Sequence, residues 1–339
     1  MAGRHPGGAE TYSADMMLSL HAAGVDQVVV TPRSMPRFAD LKAAGIRLEP
    51  GLLRWPIRPL RRWALARLID REKPDLIHTW MRRAAGLVDP RERARTLGWF
   101  GGYYNPKHFR ACGNLIGVTP GIVQHMIAEG VSAATTHFVP TFPNVRDEPP
   151  VARVALNTPP DAFVVLALSR YHPKKGLDTL LQAVQALPDV HLWLAGEGPL
   201  RRDLEKQARR LGLGERAHFL GWRSDRSALL RSADVCALPS RYEPFGTVIL
   251  EAWAAKTPLV ASMSAGPAAH VRDGKDGLLV PIDAVQSLQS AIMRLRADPT
   301  LRTRLAEAGH AKYLAHYTRE AVTRRMLEVY ERVRAEAAT

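Results

Sequence analysis

Short β-branched runs alternate with longer amphipathic stretches along this chain, and they do so twice. DQVVVT (26–31), PDLIHT (74–79) and NLIGVT (114–119) read as buried strands in the first half. FVVLALS (163–169), HLWLAG (191–196), DVCALP (234–239) and TPLVAS (257–262) read the same way in the second. Helical patterns lie between them, such as LDTLLQAVQAL (177–187) and LRRDLEKQARRLG (200–212). Strands separated by helices cannot pair as hairpins; they pair in parallel, with the helices covering the sheet. The expected fold class is therefore α/β with two parallel sheets, and 339 residues are enough to give each a core.

The halves meet at VPTFPNVRDEPPVARVALNTPPD (139–161), which holds six prolines and no sustained apolar period. The expected domains are residues 1–143 and 144–317, with a linker near 143–155 and a closing helix in 318–339. The two cysteines, Cys112 and Cys236, form neither a disulfide framework nor a metal motif. No apolar run approaches the roughly 18 residues that span a bilayer. MAGRHPGGAE has no hydrophobic signal core, so a cytoplasmic location is expected.

Charge narrows the partners. Lys and Arg number 47 against 33 Asp and Glu, a net +14. From Arg54 to Arg110 there are fourteen basic residues and five acidic ones. RWPIRPLRRWALARLIDREK (54–73) interleaves Arg61, Arg62 and Arg67 with Trp63, Leu65 and Leu68. Such a segment can dock on anionic lipid, attract an acidic substrate, or be a solvated surface helix. No finger, helix-turn-helix or RNA-recognition signature accompanies it, so no nucleic-acid partner is expected.

Five short stretches carry candidate chemistry. PGGAETY (6–12) places Gly7 and Gly8 before a helix, a turn or an anion-binding entrance. SRYHPKKGLDTLL (169–181) sets Arg170 and Lys175 beyond a strand end, where a fork and a point charge suit a diphosphate. AGEGPL (195–200) brings Gly196 and Gly198 to a second strand end. HFLGWRSD (218–225) brings Gly221 and Trp222 to a third, Trp222 bordering a base or serving as packing. SRYEPFGTVILE (240–251) holds Glu243 and Glu251 around a Pro-Phe-Gly break, with Phe245, Gly246, Thr247 and Val248 at a helix N-terminus. In isolation Glu243 reads as a helix cap and Glu251 as an exposed helical residue.

In this order the set resembles the C-terminal domain of the retaining glycosyltransferases of family four. PGGAE, the linker and the closing helix extend the resemblance to nearly the whole chain. It implies a GT-B fold, two Rossmann-like domains whose parallel sheets face a central cleft. The first domain would bind the acceptor and the second a UDP- or GDP-sugar, with the closing helix packing back on the first. It also implies that Arg170 and Lys175 neutralise the donor diphosphate. Glu243 would contact the donor sugar, and Glu251 the ribose hydroxyls. The glycine, Trp222 and Phe245–Val248 positions would line the donor. The path is same-face and oxocarbenium-like, the leaving phosphate helping to deprotonate the acceptor, with no enzymatic nucleophile, metal or cofactor.

The acceptor side is carried by GWFGGYYNPKHFRAC (98–112), where Gly101, Gly102, Tyr103, Tyr104 and His108 are candidates with Gly7 and Gly8. The GGYY segment resembles a subgroup linked to lipopolysaccharide or surface-polysaccharide assembly. A lipid-linked or glycan acceptor, met peripherally at the inner face of the inner membrane, follows. His78 stays open between a core or hinge residue and a functional one. Two departures stand out. The family begins with an apolar strand where this chain reads MAGRHPGG, so a first domain missing that strand is expected. Lys256 replaces a common glycine and is expected to be tolerated. The alternatives are another sugar-nucleotide enzyme of this fold, such as an epimerase, or a non-catalytic basic binding module.

Overall fold

The structure, a computed structural model, describes residues 8–52 and 57–337. The chain separates into two compact units, Met1–Phe142 with Arg319–Thr339, and Pro143–Thr318.

Unit one runs α1 (Gly8–Ala22), β1 (Val28–Val29), α2 (Phe38–Ala43), β2 (Arg47–Leu48) and α3 (Arg58–Glu72). It continues through β3 (Ile77–Trp80), α4 (Met81–Ala85), β4 (Thr96–Phe100), β5 (Asn114–Gly117), α5 (Pro120–Ala128) and β6 (Thr136–Phe138). Its strands fall into a parallel pair, β1–β2, and a parallel four-stranded sheet in the order β3-β4-β5-β6. Chain chemistry sets the boundaries. Pro120 opens α5 where its missing N–H costs nothing, and the Thr119 hydroxyl accepts from the Ile122 amide at 3.1 Å.

Unit two runs β7 (Phe163–Leu168), α6 (Leu177–Gln185), β8 (Val190–Ala195), α7 (Arg201–Arg210), β9 (Ala217–Gly221) and α8 (Arg226–Ser232). It closes with β10 (Val235–Leu238), α9 (Thr247–Ala254), β11 (Leu259–Ser262), α10 (Ala265–His270), β12 (Leu278–Val280), α11 (Val285–Ala297) and α12 (Pro299–His316). Its six parallel strands take the order β12-β11-β10-β7-β8-β9. The chain builds outward from β7 through β8 to β9, then returns to lay β10 on the opposite side of β7. The core is the buried faces of these strands with Leu177, Leu180, Leu181 and Val184 of α6 and Leu288, Ile292 and Leu295 of α11.

The last helix, α13 (Arg319–Ala337), belongs to unit one. Its Tyr330 hydroxyl bonds His78 Nδ1 at 2.7 Å, and Arg325 lies over Phe138 at 5.4 Å. His78 stacks on Trp80 at 4.1 Å, and burial lowers its pKa to about 3, so it is a neutral packing residue of this unit. On α3, Leu68 and Ile69 are buried, while Trp63 is 56% exposed under the Arg67 guanidinium. Among the described residues, no helix is long and apolar enough to cross a membrane.

The proline-rich segment after residue 143 is less free than a linker reading implies. Arg146 N–H donates to Ser227, and Arg231 pairs with Asp147. The Arg153 guanidinium reaches the Ser232 and Ala162 carbonyls and Asp234. Long polar side chains, invisible to a composition test, bind it to unit two.

Lys256 adopts φ 56°, a left-handed conformation that strains a residue with a Cβ. Tolerance of lysine there therefore has a cost. Lys256→Gly is expected to stabilise unit two by roughly 0.5–1 kcal/mol in denaturant unfolding. His270 is 2% exposed, and burial, with Lys312 nearby, lowers its pKa from 6.5 to about 4. The unfolded chain thus takes up this proton first, so His270 costs no stability above pH 6.5 and a growing amount as pH falls towards 4. By pH 5 the loss is about 2 kcal/mol. His270→Phe, keeping a ring against Phe245, is expected to flatten this part of the stability–pH curve.

Candidate functional site

Ligands on open α/β sheets bind beyond the carboxyl ends of the strands where the strand order reverses. In unit two that point is the β7–β10 neighbourhood, and both charged loops leave from it. The loop after β7 carries Arg170 and Lys175; the loop after β10 carries Glu243. Lys175 Nζ and Glu243 Oε2 are 2.5 Å apart, a charge-assisted bond between half-buried side chains. Arg170 is exposed at the same edge and makes no ion pair among the described residues.

Two glycines permit this approach. Gly176 has φ 61°, and a Cβ there would collide with the Pro239 carbonyl oxygen. Gly246 has φ 91° and caps α9, whose first residues are Thr247, exposed, and Val248, partly exposed. No side chain caps this N-terminus. Glu243 therefore does not cap the helix; its carboxylate is committed to Lys175. Phe245 is buried against His270, with ring centroids 4.5 Å apart, so only its backbone is left to a ligand. The Glu243 carbonyl accepts from Gly266 N at 2.7 Å, which fixes the loop from behind.

Glu251 lies inside α9 and is 9% exposed, not the surface residue that its sequence position allows. Arg226, the first residue of α8, bonds its Oε2. Burial raises the Glu251 pKa, and Arg226 opposes that shift. Each glutamate thus has its own cation.

The remaining donor-side residues flank this centre. The Gly196 amide donates to the Gly221 carbonyl at 2.8 Å, and the Tyr171 amide to the Glu197 carbonyl at 2.9 Å. Cβ atoms at Gly196 and Gly198 would strike the Ser169 and Tyr171 carbonyls, so the loops after β7, β8 and β9 are in close contact. Trp222, just beyond Gly221, is 76% exposed and is not core packing. The buried hydroxyls of Ser169, Ser240 and Ser264, beyond β7, β10 and β11, have no protein hydrogen-bond partner among the described residues. Sequence reading missed these, as it missed Arg226, because nothing local marks them.

In unit one the acceptor-side candidates divide. Gly7 lies outside the described residues, and Gly8 begins α1. Gly101, packed on the Trp99 ring, and Gly102, beside Tyr104, follow the carboxyl end of β4. Tyr103 is 39% exposed and lies edge-on to His125 at 5.4 Å. His125 Nε2 bonds the Tyr104 carbonyl at 3.0 Å, so this unremarked histidine fixes the loop. His108 is exposed on the turn Pro106–Phe109, whose Phe109 ring lies 4.1 Å from that of Phe100, the last residue of β4. Pro106, Lys107, Phe109 and Arg110 border a cavity of about 840 Å³ with Asn114, the first residue of β5, and Thr135, which precedes β6; His108 is not part of that lining. Among the described residues, no three His, Cys, Asp or Glu side chains gather as a metal-ligand set.

Two family models match the chain: Glycosyltransferase Family 4 over residues 6–145 and Glycosyl transferases group 1 over 150–312. The chain is 35% identical over 325 residues to the lipopolysaccharide core biosynthesis glycosyltransferase LpsE of Rhizobium meliloti, covering 95% of each. It is 32% identical over 330 residues to LpsD of the same organism, covering 96% of this chain and 95% of the relative. Its fold matches a crystal structure of Anabaena Alr3699/HepE in complex with UDP and glucose, with a TM-score of 0.81, 23% identity and 98% of each chain covered.

The approach of the β7 and β10 loops yields a direct test. Gly176→Ala adds a left-handed strain and a backbone clash, and is expected to cost about 2–4 kcal/mol of stability in unit two. Chemical denaturation of this variant measures it.

Proposed function

This chain belongs to the family-four glycosyltransferases, of GT-B fold, with a group 1 glycosyltransferase domain as its second half, and on that premise we propose what it transfers and how. The reaction is transfer of a sugar from a UDP- or GDP-sugar to a lipid-linked or glycan acceptor in lipopolysaccharide core or surface-glycan synthesis, with retention of anomeric configuration and without a metal. The relatives named for lipopolysaccharide core biosynthesis support the acceptor class, as does the net charge of +14.

The observation that carries the donor reading is the Lys175–Glu243 pair beside the uncapped start of α9, at the point where the strand order reverses. A diphosphate at this edge meets Arg170, Lys175 and the first amides of α9. Fixed cations and a helix N-terminus then stabilise the charge that gathers on the leaving phosphate. Glu243 accepts a hydroxyl of the sugar being moved. Glu251, held by Arg226, accepts the ribose hydroxyls, as a carboxylate does when vicinal hydroxyls approach it. The leaving phosphate takes the acceptor proton, so no carboxylate serves as nucleophile. Gly8, Gly101, Gly102 and Tyr103 face the acceptor. The protein works in the cytoplasm, with the basic face of α3 against the anionic inner surface of the membrane.

A thermal-shift series with UDP, GDP and their sugars, each with and without EDTA, tests this. One nucleotide diphosphate is expected to raise the melting temperature of the second unit by several degrees, equally in EDTA, and Lys175→Ala to reduce the shift. No shift with any nucleotide overturns the donor reading. A shift lost in EDTA overturns metal independence.

A further inference from the structure

We propose that Arg241 is the positioning residue of the donor site, acting through Lys175. The inference rests on the donor reading above and assigns a part to a side chain that touches neither nucleotide nor sugar in it.

Arg241 is the third residue of the loop after β10, two positions before Glu243. Its guanidinium forks onto Asp178 in the first turn of α6, with Nη1–Oδ1 at 2.9 Å and Nη2–Oδ2 at 2.7 Å. Nε bonds Asp283 Oδ2 at 2.9 Å, and Nη2 reaches the Thr179 hydroxyl at 3.2 Å. Nη1 also donates to the Pro173 carbonyl at 2.7 Å. The backbone adds to this: the amides of Arg241 and Tyr242 both donate to the Lys174 carbonyl, at 2.9 and 3.2 Å. The Lys174 ammonium lies over the Tyr242 ring at 4.5 Å.

The two consecutive carbonyls that precede Lys175 are thus both captured from the loop that carries Glu243. A turn whose carbonyls are fixed has the amides that follow them fixed too, and with those the backbone from which the Lys175 side chain starts. The same residue ties the first turn of α6, which Gly176 opens, to Asp283 after β12. Arg241 therefore joins the loops beyond β7, β10 and β12. The Arg241 hydrogen bond holds the Asp283 carboxyl below its ordinary pKa, and the two aspartates hold the guanidinium above its own. Only a planar fork satisfies two carboxylates and a carbonyl together; an ammonium at the same place reaches fewer of them. Lys175 and Glu243 meet at 2.5 Å because their loops are held in register from this side.

Titration calorimetry of UDP and GDP binding to the full chain tests the idea in a double-mutant cycle. Wild type, Lys175→Ala, Arg241→Ala and the double variant are compared, with Arg241→Lys and Asp283→Asn as milder changes whose folding is checked by their melting curves. If Arg241 acts through Lys175, Arg241→Ala weakens nucleotide binding about tenfold, and the double variant binds within twofold of Lys175→Ala alone. Arg241→Lys, folded, stays at least fivefold weaker than wild type. Asp283→Asn shows a smaller loss in the same direction. Additive losses in the double variant, or wild-type affinity in a folded Arg241→Lys, overturn the positioning role while leaving the donor site standing. Absence of nucleotide binding by the wild type overturns the donor site, and this inference with it.

Discussion

The second unit depends on how closely two loops can approach each other. A parallel sheet that grows outward from β7, then returns to place β10 on its other side, leaves a notch beyond the ends of those two strands. The notch is useful only if the turn after β7 lies against the start of the loop after β10. Gly176 makes that possible: its left-handed conformation and missing Cβ let the turn rest on the Pro239 carbonyl. Everything charged at the site inherits its position from this contact. Lys175 precedes the glycine, α6 follows it, and Glu243 stands four residues beyond Pro239.

Charge then divides the two glutamates. Glu243 precedes the N-terminus of α9, where the helix dipole favours anions, whereas Glu251 is the fifth of its eight residues. They differ in partner and burial. Glu243 is bound by a flexible ammonium that can be drawn to a phosphate. Glu251 is almost sealed in and held by a guanidinium from a different helix. Each carboxylate is paired with a cation of its own. A glycosidase pair needs the opposite, two carboxyls facing a common bond.

Much of this was readable from the residues, for a physical reason. Strands buried on both faces must be apolar throughout, so FVVLALS, HLWLAG, DVCALP and TPLVAS announce themselves, and the sheet order then sets which loops meet. The weaker readings fail where structure is held by distant partners. β1 falls within the expected strand DQVVVT, whereas β2, two residues long, is too short for any period to show. β4, TLGWF, was not singled out as a strand because Gly98 and the polar PRERAR turn interrupt the pattern, although all five residues are buried. Arg226 lies 25 residues from Glu251, and Arg153 about 80 from Ser232 and Asp234, separations that no motif spans.

The Arg226–Glu251 pair is unevenly buried. Glu251 is nearly sealed while the Arg226 side chain keeps 37% exposure, so their attraction offsets only part of the carboxylate's desolvation, a cost of several kcal/mol for an ion. Burial still raises the Glu251 pKa, and among the described residues Arg226 Nε has no hydrogen-bond partner. The nearby hydroxyls of Ser169, Ser240 and Ser264 repeat the pattern, each buried at a strand end with its hydrogen-bonding capacity unused by the described protein groups. Among the described residues unit two has two further buried side-chain atoms without a partner, Glu148 Oε2 and His270 Nε2, and unit one has others, such as Trp99 Nε1 and Thr141 Oγ1. The three serines differ in sharing one edge, beyond the carboxyl ends of β7, β10 and β11. Ligands on open α/β sheets bind beyond that edge, so a polar ligand there would supply the partners these hydroxyls lack.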